Sequence, residues 1–175
     1  MSNFDQIKAA MDRSIKAVTK RPAVGQLTEI MHIDVAPDGC CSIRDGDATM
    51  TIDLSEEYGG GGTTNSAGFY VRAALGACLA QGYHVWAAVL GVPINHLSIE
   101  LHADSDMRGN LGIDKDMPRS YTAIRYVVNI DSPAPRTKVE ELIDKGDDID
   151  WVRDVFARAI PLERELHITG TIAAE

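Results

Sequence analysis

The chain has 175 residues, 45% hydrophobic and 25% charged, which are the proportions of a soluble globular domain able to bury a core. Its net charge of −9, from 17 Lys and Arg against 26 Asp and Glu, repels phosphate backbones and anionic lipid, so neither nucleic acid nor a membrane is an expected partner. The three cysteines, Cys40, Cys41 and Cys78, are too few for a disulfide scaffold, and no charged-then-apolar signal segment opens the sequence; a reducing, cytoplasmic location is expected.

Phe4, Ile7, Met11, Ile15 and Val18 recur every three or four positions, with Asp5, Lys8, Asp12, Arg13 and Lys16 between them. That spacing predicts an amphipathic helix over 3–20, ended by Arg21-Pro22. Strands are expected over 26–35, 40–44 and 48–54, with Pro37-Asp38-Gly39 and Asp45-Gly46 as turns, making an antiparallel meander. The polar, glycine-rich run 58–66 reads as a flexible connector, with Asn65 or Ser66 capping a long helix over 67–90 that stops at Gly91. This helix is apolar enough to suggest a membrane span, but Arg72, Gln81 and His84 interrupt it. One charge near the centre of a span costs about 2.5–3.5 kcal/mol, so a buried helix of a soluble fold is the better reading.

Residues 95–104 alternate Leu97, Ile99, Leu101 and Ala103 against His96, Ser98, Glu100 and His102, the pattern of a half-buried strand. An irregular loop over 105–118, a strand over 120–130, helices over 137–145 and 149–158, and a closing strand over 165–172 complete the expected order. Helices and strands segregate rather than alternate, so the fold class is α+β and not a doubly wound sheet.

Few residues offer chemistry. The glycine run lacks the Gly-Lys-Ser/Thr ending of a phosphate loop and the spacing of a dinucleotide fingerprint. His96 and His102 lie roughly 20 Å apart along one strand and cannot share an ion; Glu100 and His102 are ordinary polar neighbours, and no metal or other cofactor is expected. Cys78 is the candidate nucleophile. It sits among Ala74, Gly76, Ala77, Ala80 and Gly82, a smooth helix surface that another helix can approach closely, and its reactivity would need a cation nearby.

The run 56–78, EEYGGGGTTNSAGFYVRAALGAC, followed by an apolar helix, Gly91-Val92-Pro93 and an alternating strand, resembles the OsmC/Ohr family of stress-induced thiol peroxidases. The resemblance implies residues 1–22 as an N-terminal helical extension and 23–175 as the OsmC-like domain. It implies antiparallel sheets around a long buried central helix, in an intertwined homodimer. It also places Cys78 where the peroxidatic cysteine stands, attacking a hydroperoxide to form a sulfenic acid that a second cysteine resolves.

The sequence departs from this pattern at three supporting positions. No cysteine follows Cys78, Gly68 occupies the place of the assisting Glu, and the assisting Arg is absent from the Pro37-Asp38-Gly39 turn, leaving Arg44 or Arg72 as substitutes. Three readings stand. The first is a thiol-dependent peroxidase with Cys78 as nucleophile, recycled by an external thiol or by Cys41 or Cys40. The second is a binding protein for a small apolar ligand, with a pocket lined by Phe69, Tyr70, Tyr83 and Trp86. The third is a structural protein in which Cys78 only packs.

Overall fold

Ser2 opens helix α1 (Asn3–Lys20) with a reciprocal cap: the Asp5 N–H donates to Ser2 Oγ at 3.1 Å and the Ser2 N–H donates to the Asp5 carboxylate at 2.8 Å. The structure is a computed structural model and describes residues 2–169. Arg21 ends α1 as the spacing predicts, and residues 22–25 add one 3₁₀ turn.

Strands β1 (His32–Val35), β2 (Cys41–Asp45) and β3 (Ala48–Ile52) form the expected antiparallel meander. The first strand is shorter than the predicted 26–35, because β2 offers partners only from His32↔Arg44 to Val35↔Cys41. Beyond that ladder Leu27, Ile30 and Met31 lie exposed. Gly39, at φ 85°, makes the first turn, and Gly46, at φ 56°, the second; both conformations favour glycine.

Helix α2 (Ala67–Leu90) ends where expected, with Gly91 left-handed at φ 70° and the Val92 N–H donating to the Ala87 carbonyl. Ser66 takes the N-cap backbone position without a side-chain hydrogen bond. Leu75, Leu79, Tyr83 and Ala87, four residues apart, form its buried stripe. That stripe packs on the inner face of a second antiparallel sheet, β4 (His96–Ser105) with β5 (Tyr121–Asp131). The register pairs Leu97 with Ile130, Ile99 with Val128 and Leu101 with Tyr126, so one face of the ribbon is continuously apolar, until a bulge at Asp104/Ser105. A short helix α3 (Met107–Asn110) interrupts the loop between these strands.

Helix α4 (Arg136–Ile149) runs past the predicted end at Lys145, because Gly146 and Leu142 continue its buried face against α2. Helix α5 (Trp151–Ala157) follows at once, capped by Asp150. The class is α+β, as the element order implies. α2 is long and apolar enough to cross a membrane by length and composition alone, yet α1, β4, α4 and α5 all pack on it here. It is buried on one side only: Ala73, Ala74, Ala77 and Gln81 stay exposed within one chain. The predicted closing strand does not form over 165–169, which are unpaired for want of a neighbouring strand; the rest of it lies outside the described residues.

Candidate functional site

Cys78 stands midway along α2, part-buried, on the side of the helix that faces the α4–α5 junction. Burial pushes its thiol above the ordinary cysteine range; the backbone N–H of Val152 opposes this by favouring the thiolate, and the Asp150 carboxylate adds to the upward shift. Asp150 is itself 6% exposed. Its Oδ1 accepts the Arg153 N–H at 2.7 Å, which caps α5, while its Oδ2 lacks any hydrogen-bond partner. A Cβ built on Gly82, one turn beyond Cys78, would lie 3.6 Å from that oxygen, an ordinary contact distance that places the carboxylate against this face of α2.

Arg153 ties this corner to a wider network. Its Nε donates to Tyr126 Oη at 3.3 Å and its Nη1 to the Asp147 carbonyl at 3.0 Å. Tyr126 and Arg153 also line an open cleft of about 1500 Å³, walled by the meander, the start of α2, the end of the β4–β5 ribbon and α5. Arg72 crosses the cleft at 2.9 Å to Tyr121 Oη, which in turn donates to the Gly68 carbonyl at 3.1 Å. Arg119 adds a third guanidinium, fixed to the Gly109 carbonyl at 2.7 Å.

The glycine-rich connector is an ordered wall of this cleft rather than a loose tether. Asp53 Oδ2 accepts the Thr63 N–H at 2.8 Å and the Thr63 hydroxyl at 2.7 Å, while the Asp53 N–H donates to Thr64 Oγ1 at 2.8 Å. The two bonds from Thr63 hold the Asp53 carboxyl below the usual carboxylate range. At Gly60 the chain comes so near Leu54 that a Cβ would meet its carbonyl oxygen at 2.0 Å.

The structure separates several residues that the sequence reading grouped. Cys41 and Arg72 line the cleft; Cys78 does not. Arg44 lies exposed in β2 between His32 and Thr49, outside the cleft. Cys40, just before β2, has its thiol pushed up by partial desolvation and by the Asp53 and Asp38 carboxylates. The four aromatic residues expected to share a pocket do not meet. Phe69 and Tyr70 stack edge to face near the start of α2, Tyr83 is sealed in the core, and Trp86 lies under the Lys145 ammonium. Thirteen residues of helix from Tyr70 to Tyr83 is about 20 Å, too far for one small ligand. The aromatic cleft residues are Tyr58, Tyr121, Tyr126 and Phe156. Glu100 and His102 form a 2.7 Å pair, and among the described residues no group of side chains is arranged to hold a metal ion.

A family model described as OsmC-like protein matches residues 60–165. This chain belongs to the OsmC-like protein family. The matched span includes most of the glycine run, α2 with Cys78, the β4–β5 ribbon and both C-terminal helices, so it accounts for every wall of the cleft except the meander and the segment 53–58 that follows it. Solved structures agree on the fold. An OsmC-like protein from Mycoplasma pneumoniae superposes with a TM-score of 0.63 at 14% identity, over 75% of this chain and 89% of that one. An organic hydroperoxide resistance protein OsmC from Legionella pneumophila gives 0.51 at 14% identity, over 74% and 89%. No curated protein matches this OsmC-like sequence. Asp150 and Arg153 escaped the sequence reading because an acidic residue opening a helix, with an Arg one turn on, reads as an ordinary capped surface helix.

Proposed function

We propose that this OsmC-like protein acts in the response to oxidative stress as a thiol-dependent hydroperoxide reductase with Cys78 as its nucleophile. The observation that carries this is the setting of Cys78 at the Ala-Cys place of the family run, part-exposed midway along α2. The sulfur attacks the terminal oxygen of the hydroperoxide, the O–O bond breaks, and an alcohol leaves with the thiol proton. An external thiol then reduces the sulfenic acid, since the groups facing Cys78 from α5 are a carboxylate and an amide rather than a second thiol. The raised thiol lowers the share of thiolate at neutral pH, so turnover should rise with pH. A homodimer in the cytoplasm belongs to the same reading, supported by the exposed Ile33, Val35 and Met50 of the meander and the bare stripe of α2. The test is hydroperoxide consumption with an added dithiol: Cys78→Ser should abolish it, while Cys40→Ser and Cys41→Ser should leave most of it. Equal activity in wild type and Cys78→Ser would sink the proposal.

One observation favours a second reading. The cleft sets Arg72, Arg119 and Arg153 among the carboxylates Asp53, Glu56, Glu57 and Asp106, with apolar walls from Leu75, Ile124 and Phe156, a mixed lining that fits a small neutral molecule with an apolar body, and Cys78 takes no part in it. Calorimetric binding of medium-chain alcohols to both wild type and Cys78→Ser, without peroxide turnover by either, would establish this alternative.

A further inference from the structure

Within the α2–α5 contact lies a buried acceptor without a donor. Asp150 Oδ2 is inaccessible to solvent, its residue is 94% buried by the complement of its 6% exposure, and no hydrogen bond reaches it. A carboxylate oxygen left so is costly, and such a group calls for a missing donor. Oδ2 lies 3.6 Å from where a Gly82 Cβ would stand, and one turn earlier on that face of α2 is Cys78, whose thiol S–H is only a weak donor toward this carboxylate.

We propose that Asp150 Oδ2 is the acceptor for the hydroxyl of a Cys78 sulfenic acid, so that the oxidised protein is held as a carboxylate-bound S–OH instead of passing to a disulfide. This rests on the peroxide chemistry proposed for Cys78. In the first step Cys78–SH and ROOH give Cys78–SOH and ROH: an S–O bond forms, the O–O bond breaks, and the sulfur loses two electrons to the peroxide. The new hydroxyl is a stronger donor than the thiol, and rotation about the Cα–Cβ bond brings it to the oxygen that lacks one. The neighbouring negative charge then disfavours ionisation of the S–OH. Attack on a second peroxide, which leads to the sulfinic acid, needs the sulfenate anion, so Asp150 slows overoxidation. Two molecules of an external thiol R′SH return Cys78–SH, releasing R′SSR′ and water.

The experiment uses the full chain treated with one to several equivalents of cumene hydroperoxide. Dimedone trapping and mass spectrometry follow the sulfenic and sulfinic forms of Cys78 in wild type, Asp150→Asn and Asp150→Ser. Asn keeps the shape and an α5-capping oxygen, and Ser keeps the cap in a smaller form, so at least one variant should fold. Wild type should accumulate the dimedone adduct. In both variants the ratio of sulfinic to sulfenic product should rise roughly three- to ten-fold, the change expected from about half to one unit in the sulfenic pKa. An unchanged ratio in folded variants overturns the role of Asp150 while leaving the peroxidase reading intact. A Cys78 disulfide to Cys40 or Cys41 in wild type overturns it too. No oxidation of Cys78 at all removes both proposals together.

Discussion

Tyr83 and Asp147 join α2 to α4 at the centre of the core: the fully buried phenol donates to Asp147 Oδ1 at 2.5 Å. Burial first, and the Asp147 carboxylate second, push the phenol far above the ordinary tyrosine range, so it stays a donor. Tyr83→Phe keeps the packing and removes only this bond to a charged acceptor, for which about 1.5–3 kcal/mol is the usual loss. Urea unfolding should show a lower midpoint with the slope unchanged.

Gly146 supports the same ring from the other side. A Cβ there would stand 2.4 Å from Tyr83 Cδ1, and a ring held between helix and sheet cannot retreat. Gly146→Ala gains up to about 1 kcal/mol of helix propensity but overpacks the core by about 1–3 kcal/mol. The clash should win, and a thermal melt should show a lower Tm than wild type.

The raised thiol of Cys78 fixes a sign at alkaline pH. The unfolded chain ionises this thiol more readily than the folded one. The stability contributed by holding it neutral is therefore complete below the unfolded pKa and is lost as pH rises through the folded value. Cys78→Ser should flatten that part of the alkaline stability profile. Iodoacetamide should label Cys78 more slowly at pH 7.5 than it labels a short unstructured peptide carrying the same cysteine.

Asp53 acts in the opposite direction. Hydrogen bonds from Thr63 lower its carboxyl, so its contribution is present above the unfolded pKa and fades as pH falls through the folded value. The wall formed by residues 53–64 should loosen in acid before the core does. The protection of the Thr63 amide, relative to its intrinsic exchange rate, should fall below about pH 4 in wild type, whereas Asp53→Ala should show low protection at neutral pH as well.

Association is expected from surface that one chain leaves bare. Leu162, at 95% exposed, Leu166 and Ile168 are bare, as are apolar side chains of the meander. Obligate interfaces of this kind commonly bury more than about 2,000 Å². Sedimentation equilibrium at micromolar concentration should give twice 19.0 kDa, and a single species at 19.0 kDa would contradict it.

Local rules in the sequence determined much of this protein. The three-and-four spacing from Phe4 to Val18, the two glycine turns of the meander, the alternation from Leu97 to Ala103 and the Gly91 stop each depend on residues close in the chain, and each appears in the fold. The family run around Cys78 was legible for the same reason. The tertiary structure alone decided the surroundings of that cysteine. Asp150 lies 72 positions beyond Cys78 and reaches its face of α2 because α4 turns directly into α5 at that residue. The cleft arginines likewise come from α2, the loop before β5 and α5. Periodicity reports which face of an element is apolar, but not which distant element that face will meet. The charge and burial that set a thiol's chemistry arise at that meeting.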